Sequence, residues 1–271
     1  MPATLSARPK LGTVTYMIAA QWDVPTLIKN LQDCRLEGVE LRTTHAHKVE
    51  IALDEMARRD VRKRFEDGGI EIAGLGTTCE YQAADKSVVN KNIAETKEWI
   101  KLAHDLGCPG VKVRPNGVPN GVPLDDTLKQ IGDAMRECAE FGMGYGVHVR
   151  VEVHGKTTAE LPNIKKIMDH ADHENAVVCW NSNDTDLDMP AHAGAPPSIR
   201  NNFALVANKI VAVHMRDLFI ENYPWKELFG LLRDIGFEGY CFAEIPGSTD
   251  PIRVLHYYRA LWLAYQAECQ P

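Results

Sequence analysis

The sequence contains no cysteines paired as Cys-x-x-Cys. Its seven, Cys34, Cys79, Cys108, Cys138, Cys179, Cys241 and Cys269, are scattered and odd in number. That pattern argues against a disulfide framework and against a zinc-thiolate site. No stretch approaches the roughly 18 apolar residues of a membrane span, and Met1–Lys10 carries no apolar h-region. Neither a membrane partner nor a secretory signal is expected, and the expected setting is the reducing cytoplasm. Positive charge is also short. Against 37 Asp and Glu stand 30 Lys and Arg, a net charge of −7, which disfavours a nucleic-acid partner that needs a broad basic face. The one dense basic run, Arg58, Arg59, Arg62, Lys63 and Arg64, falls in an amphipathic helical segment and reads as a solvated helix face. No Pro/Ser-rich linker or break in composition divides the chain, so residues 1–271 read as a single domain. At 271 residues and 45% hydrophobic, the chain suits one large α/β barrel, which needs about 250 residues.

What is present is a regular alternation. Short β-rich runs fall at Thr13–Ile18, Gly38–Thr43, Ile70–Thr77, Gly110–Arg114, Tyr145–His154, Ala176–Ser182, Ile210–Asp217 and Gly239–Ile245. Helical patterns separate them, the clearest being Val88–Leu106, Leu124–Phe141, Pro224–Ile235 and Pro251–Tyr265. Asp23 and Asp250 stand before prolines or near-prolines as start signals, while Gly107, Gly142 and Gly236 follow the last apolar turns as stops. Eight successive βα units favour a closed (β/α)8 TIM barrel over an open sheet. Two loops rich in Gly, Pro, Asn and Asp, 116–123 and 183–197, follow predicted strand ends, which is the active-site face of a barrel.

Parallel strands covered on both faces read as continuous apolar runs. These strands do not. In the fifth, Val147, Val149, Val151 and Val153 share one face, and His148, Arg150, Glu152 and His154 share the other. Glu40 and Arg42 alternate with valine and leucine in the second strand, Lys112 and Arg114 with valines in the fourth, and His214 and Arg216 with apolar residues in the seventh. If the valines meet the outer helices, the charges point into the barrel. Deep charges such as Arg150 and Arg42 then belong to an internal salt-bridge lattice, because an unpaired buried charge is costly. Charges at C-terminal strand ends are placed for chemistry instead: Glu152 and His154, Asn181 and Asn183, His214 and Arg216, and Glu244. Two carboxylates, an imidazole and an amide or carboxylate oxygen from strands five to eight form a mixed N/O set suited to a divalent cation. Taken singly, each of these residues reads equally as a satisfied structural group.

With these residues the sequence resembles the xylose isomerase-like TIM barrels, the sugar phosphate isomerase/epimerase superfamily. The resemblance runs over nearly the whole chain, through GVELRTTHAH (Gly38–His47), VKVRPNG (Val111–Gly117), VEVHG (Val151–Gly155), CWNSNDTD (Cys179–Asp186), VHMRD (Val213–Asp217) and FAEIPGS (Phe242–Ser248). It implies one divalent metal ion (Mn, Mg, Co or Zn) held by Glu152, Asn181, His214 and Glu244. One departure stands out: the family's sixth-strand Asp-x-x-His reads Asn181 and Asp184 here. An amide ligates a hard cation without charge, so either the ion is held more loosely, or Asn183 or Asp184 takes the place, or the chemistry has drifted.

The resemblance implies a sugar isomerase or epimerase acting on a small polyhydroxy carbonyl compound through an enediolate. Glu152 and Glu244 would exchange the proton, and His154, Arg216 and Arg114 would hold the substrate, with a structural role for Arg114 equally open. Two alternatives remain at this level: a lyase or dehydratase on the same site, and a non-catalytic metal- or sugar-binding subunit. An apurinic endonuclease of the same broad fold is disfavoured by the acidic balance and the missing Asp-x-x-His. The turn Gly247–Thr249 before the last helix could hold a phosphate, but an ordinary cap by Asp250 is the simpler reading. The expected partner is a small sugar or sugar-derived molecule, and a homo-oligomer is compatible with the sequence.

Overall fold

The computed structural model describes residues 8–269. Along the chain run β1 (Lys10–Val14), α1 (Val24–Cys34), β2 (Gly38–Arg42), α2 (Glu55–Asp67), β3 (Glu71–Glu80), α3 (Lys86–Leu106), β4 (Gly110–Arg114) and α4 (Leu124–Met143). They are followed by β5 (His148–Glu152), α5 (Leu161–Ala171), β6 (Ala176–Asn181), α6 (Arg200–Ala204), β7 (Ile210–Met215), α7 (Trp225–Asp234), β8 (Tyr240–Ala243) and α8 (Pro251–Glu268). Each strand pairs in parallel with the next, and β8 returns to β1, closing the (β/α)8 barrel that the alternation predicts. The ends of the domain expected over 1–271, residues 1–7 and 270–271, lie outside the described residues, as does most of Met1–Lys10. Among the described residues no helix is long and apolar enough to cross a membrane.

Local chemistry fixes the helix ends. Asp23 accepts from the Thr26 amide at 3.0 Å and caps α1, with Pro25 in the first turn. Asp250 caps α8 by accepting from Arg253 N at 3.3 Å, and its own amide donates to Ser248 Oγ at 3.0 Å. The turn before α8 is therefore tied up as a cap. Gly107 ends α3 in the left-handed region, as a stop glycine should. Gly142 departs from expectation, since α4 continues through it to Met143. A Cβ there would lie 2.3 Å from the Val147 carbonyl oxygen, so this glycine lets α4 approach the chain entering β5 rather than ending the helix. On α2 every member of the basic run has a carboxylate partner: Arg58 with Asp105, Arg59 with Glu55, Arg62 with Glu66, Lys63 with Asp67 and Arg64 with Asp60. That leaves no free basic face on this helix.

The valines of β5 pack outward against the helices, while Arg150 and Glu152, 3% and 2% exposed, point inward. The barrel interior is layered. At its floor the rings of Tyr240 and Phe242 stack with centroids 5.3 Å apart, together with Ala73 and Ala212. Above them lies a charged layer of Glu40, Lys112, Arg150, Glu152 and His214, all buried. This layer fits because β3 contributes almost no side chain to it. A Cβ on Gly74 would come within 2.9 Å of both Arg150 Nη1 and Glu40 Oε2.

Candidate active site

A cavity of about 340 Å³ opens at the C-terminal ends of the strands, and its floor is the charged layer. β5, β7 and β8 place Glu152, His214 and Glu244 so that one ligand atom from each lies within 4.8 Å of the others. His214 Nδ1 is 3.2 Å from Glu152 Oε1 and 3.7 Å from Glu244 Oε2. Donors sharing an ion with bonds of about 2.1 Å stand at most about 4.2 Å apart, so the His214 pairs already have that spacing. Two carboxylates and an imidazole are also the right donor chemistry for a borderline or hard divalent ion. These residues fit a metal. Asn181 stands beside them, its Nδ2 donating to Glu152 Oε1 at 3.3 Å. The other sixth-strand candidates are engaged elsewhere: Asn183 donates to the Val153 carbonyl at 2.8 Å, and the exposed Asp184 accepts from Arg216 at 2.7 Å.

The sequence pattern pointed Lys112 and Glu40 into the barrel but attached no role to them, and both touch this cluster. Lys112 Nζ is 2.7 Å from Glu152 Oε2 and 3.8 Å from Glu40 Oε1, and His214 Nε2 is 3.3 Å from the same Glu40 oxygen. Burial alone would raise the Glu152 carboxyl pKa, but the Lys112 ammonium and His214 outweigh it and hold it well below the usual carboxylate range. Glu40 is lowered in the same way, against burial, by His214, Lys112 and Arg150. For His214, burial favours the neutral ring, and the surrounding Cys179, Glu40 and Glu244 push its pKa up instead. The alternation in β4 carried a signal for Lys112, because it turns that side chain inward in register with Arg150, one inward position below Glu152 on β5.

The residues expected to hold substrate line the same cavity. His154 presents a buried Nδ1 with no hydrogen-bond partner among the described residues. Arg216 lies over the Tyr223 ring, 5.3 Å from its centroid, and its Nη2 is bound by Asp184. Arg114 is held at 2.7 Å by Glu80, which Asn116 also contacts at 2.7 Å, so part of its role is structural. The internal lattice holds for Arg150, whose Nη1 lies 4.0 Å from Glu40 and whose Nη2 donates to the Ala73 carbonyl at 2.7 Å. It does not hold for Arg42, which has no carboxylate within 4.0 Å among the described residues and lines the cavity instead. Arg150, Lys112 and His214 already surround Glu40, the nearest acid on the strand of Arg42.

The pattern of the xylose isomerase-like TIM barrel family matches residues 28–262. Among solved structures, the chain is similar to an L-ribulose 3-epimerase, with TM-score 0.79 and 16% identity over 97% of this chain and 96% of that one. It is similar to a 3-keto-D-glucoside 4-epimerase from E. coli, with TM-score 0.76 and 12% identity over 95% and 99% of the two chains. A third, the IolI protein with a bound zinc atom, superposes with TM-score 0.77 and 15% identity over 96% and 99%.

Proposed function

Since the chain belongs to the xylose isomerase-like TIM barrel family, we propose that it is a divalent-metal-dependent isomerase or epimerase of a small polyhydroxy carbonyl compound. The observation that carries this reading is the convergence of Glu152, His214 and Glu244 at the floor of a polar cavity. The solved neighbours named as epimerases of sugars support the reaction class. Glu152, His214 and Glu244, with Asn181 beside them, would hold the ion, which when bound acts as a Lewis acid on substrate oxygens.

The residues themselves divide the proton work. One carboxylate removes the proton from the carbon between the two oxygens, and the other returns it from the opposite face. Glu152, fixed by Lys112 at 2.7 Å, offers an ionised acceptor in one orientation. Glu244, partly exposed to the cavity, is free to approach from the other side. The unpartnered Nδ1 of His154 is available for a substrate hydroxyl, and Arg216 flanks it at the rim.

The test is proton exchange between substrate and deuterated water, with metal content measured on the same samples. Glu152→Gln and Glu244→Gln each keep an oxygen ligand but lose the base, and each should lower exchange by roughly 10²–10⁴-fold. Near wild-type exchange in either metal-loaded variant would overturn the two-base reading. A product lighter than substrate by one water would assign the site to a dehydratase.

A further inference from the structure

Four cations and three carboxylates line the cavity: Arg42, Lys112, Arg114 and Arg216 against Glu40, Glu152 and Glu244. Three of the four cations have a carboxylate partner, although Arg114 Nε and Arg216 Nε stay buried without a hydrogen bond among the described residues. Lys112 is bound by Glu152, Arg114 by Glu80 and Arg216 by Asp184, each at 2.7 Å. Arg42 is the exception. Its Nη1 donates to the Thr43 carbonyl at 3.0 Å and to Thr44 Oγ1 at 3.1 Å, while Nε and Nη2 make no hydrogen bond among the described residues. The nearby Glu50 makes no ion pair with it, and accepts instead from Thr43 Oγ1 and the Thr44 amide, both at 2.6 Å. The Tyr16 ring lies 5.6 Å from the guanidinium carbon and supports one side of the fork.

Arg42 is half-buried and lines the cavity with a positive charge that no carboxylate pairs among the described residues, so an anionic ligand would complete it. Its planar donor fork matches the paired oxygens of a carboxylate or a phosphate. Position adds a constraint. Arg42 lies two residues beyond Glu40 on the same face of β2, about 6.6 Å nearer the mouth than the charged layer. In the ring of eight strands β2 stands opposite β6, the strand of Asn181. A molecule whose reacting carbons meet Glu152 and Glu244 therefore brings its far end toward Arg42.

We infer that Arg42 is the anchor for an anionic terminal group, so that the substrate is a sugar acid or a sugar phosphate rather than a neutral sugar. This rests on the reading of Glu152 and Glu244 as the reacting end. Carboxylate and phosphate share the recognising chemistry, and size separates them.

The test compares three probes of equal carbon number on the metal-loaded protein: a neutral ketose, the same ketose carrying a terminal phosphate, and the ketose acid. Affinities are measured by calorimetry, and deuterium exchange is followed in parallel. At least one charged probe should bind ten-fold or more tighter than the neutral ketose, and which one it is identifies the terminal group. In Arg42→Gln the ratio of charged to neutral affinity should fall toward one, and Arg42→Lys, which keeps the charge, should retain part of it. Equal affinity of charged and neutral probes for the wild type, or a ratio unchanged in Arg42→Gln, overturns the anchor. Charge discrimination without deuterium exchange in any probe leaves the anchor standing and removes the isomerase reading. Exchange without charge discrimination does the reverse.

Discussion

Lys112 Nζ stands 2.7 Å from Glu152 Oε2, with both side chains all but sealed from water. An ammonium at this place compensates part of the negative charge of Glu40 and Glu152 before any ion arrives, and it leaves Glu152 Oε1 facing His214. The centre therefore carries less net negative charge than the buried Glu40 and Glu152 alone would give it.

Lys112→Met removes one partner of a buried pair and leaves Glu152 and Glu40 with only His214 and Arg150 beside them. The metal-free protein should lose about 3–5 kcal/mol of stability. Adding Mn²⁺ should return more stability to the variant than to the wild type, because an ion that binds only the folded state stabilises it in proportion to its affinity. Urea unfolding with and without the ion measures both effects. A metal-free variant as stable as the wild type would show that the ammonium does not compensate these acids.

Asn181→Asp places a carboxylate beside Glu152 Oε1, where the amide now stands at 3.3 Å. Divalent-ion affinity should rise, since hard cations bind charged oxygen more tightly than amide oxygen. Calorimetric titration with Mn²⁺ decides the matter. Unchanged or weaker affinity would exclude β6 from the ligand set.

His148 gives the fold an acid-side weakness. Burial first, and then the adjacent Arg150, push its pKa down from 6.5 to about 3. Between those values the unfolded chain takes up a proton that the folded chain refuses. Its contribution to stability is thus full above pH 6.5 and declines as pH falls toward 3, by at most about 1.4 kcal/mol per pH unit. Denaturation midpoints measured from neutral pH to about pH 5 should fall in the wild type and fall less in His148→Gln. Equal slopes would assign the loss to other groups.

Gly74→Ala tests the space beneath the charged layer. Its Cβ would come within 2.9 Å of Glu40 Oε2 and Arg150 Nη1, an overpacking that should cost about 1–3 kcal/mol. Gly230→Ala, inside α7 with nothing within 4 Å of the added carbon, should stabilise by about 0.5–1 kcal/mol. Thermal unfolding of the two variants should move in opposite directions, and a destabilised Gly230→Ala would contradict the account.

The eight βα units were legible because short β-rich runs recur between helical patterns, and the alternation within the fifth and seventh strands aims Glu152 and His214 inward. Strand-end position singled out Glu152, His214 and Glu244 without any distance. The role of Lys112 was not legible, because alternation gives a side and not a height. Its meeting with Glu152 depends on the β4–β5 register, and nearby register shifts at Val39/Glu40 and Val178/Cys179 move neighbouring layers. The separation of Arg42 from the lattice was hidden for a similar reason: which acid remains for an arginine depends on how many other cations reach that acid first. Gly142 read as a helix stop since sequence shows a missing side chain but not the carbonyl that needs its space.

Among the described residues, the stacked rings of Tyr240 and Phe242 plug the barrel beneath the charged layer, leaving the cavity at the strand ends as the way in. Whatever reaches His214 enters past the arginines at the rim and leaves by the same route. On the proposed reading, an ion at the bottom of the cavity would be loaded before the substrate and released after it. An organic molecule held at the mouth shuts in anything lodged beneath it, so its residence time there sets how quickly the floor of the cavity can exchange its contents with water.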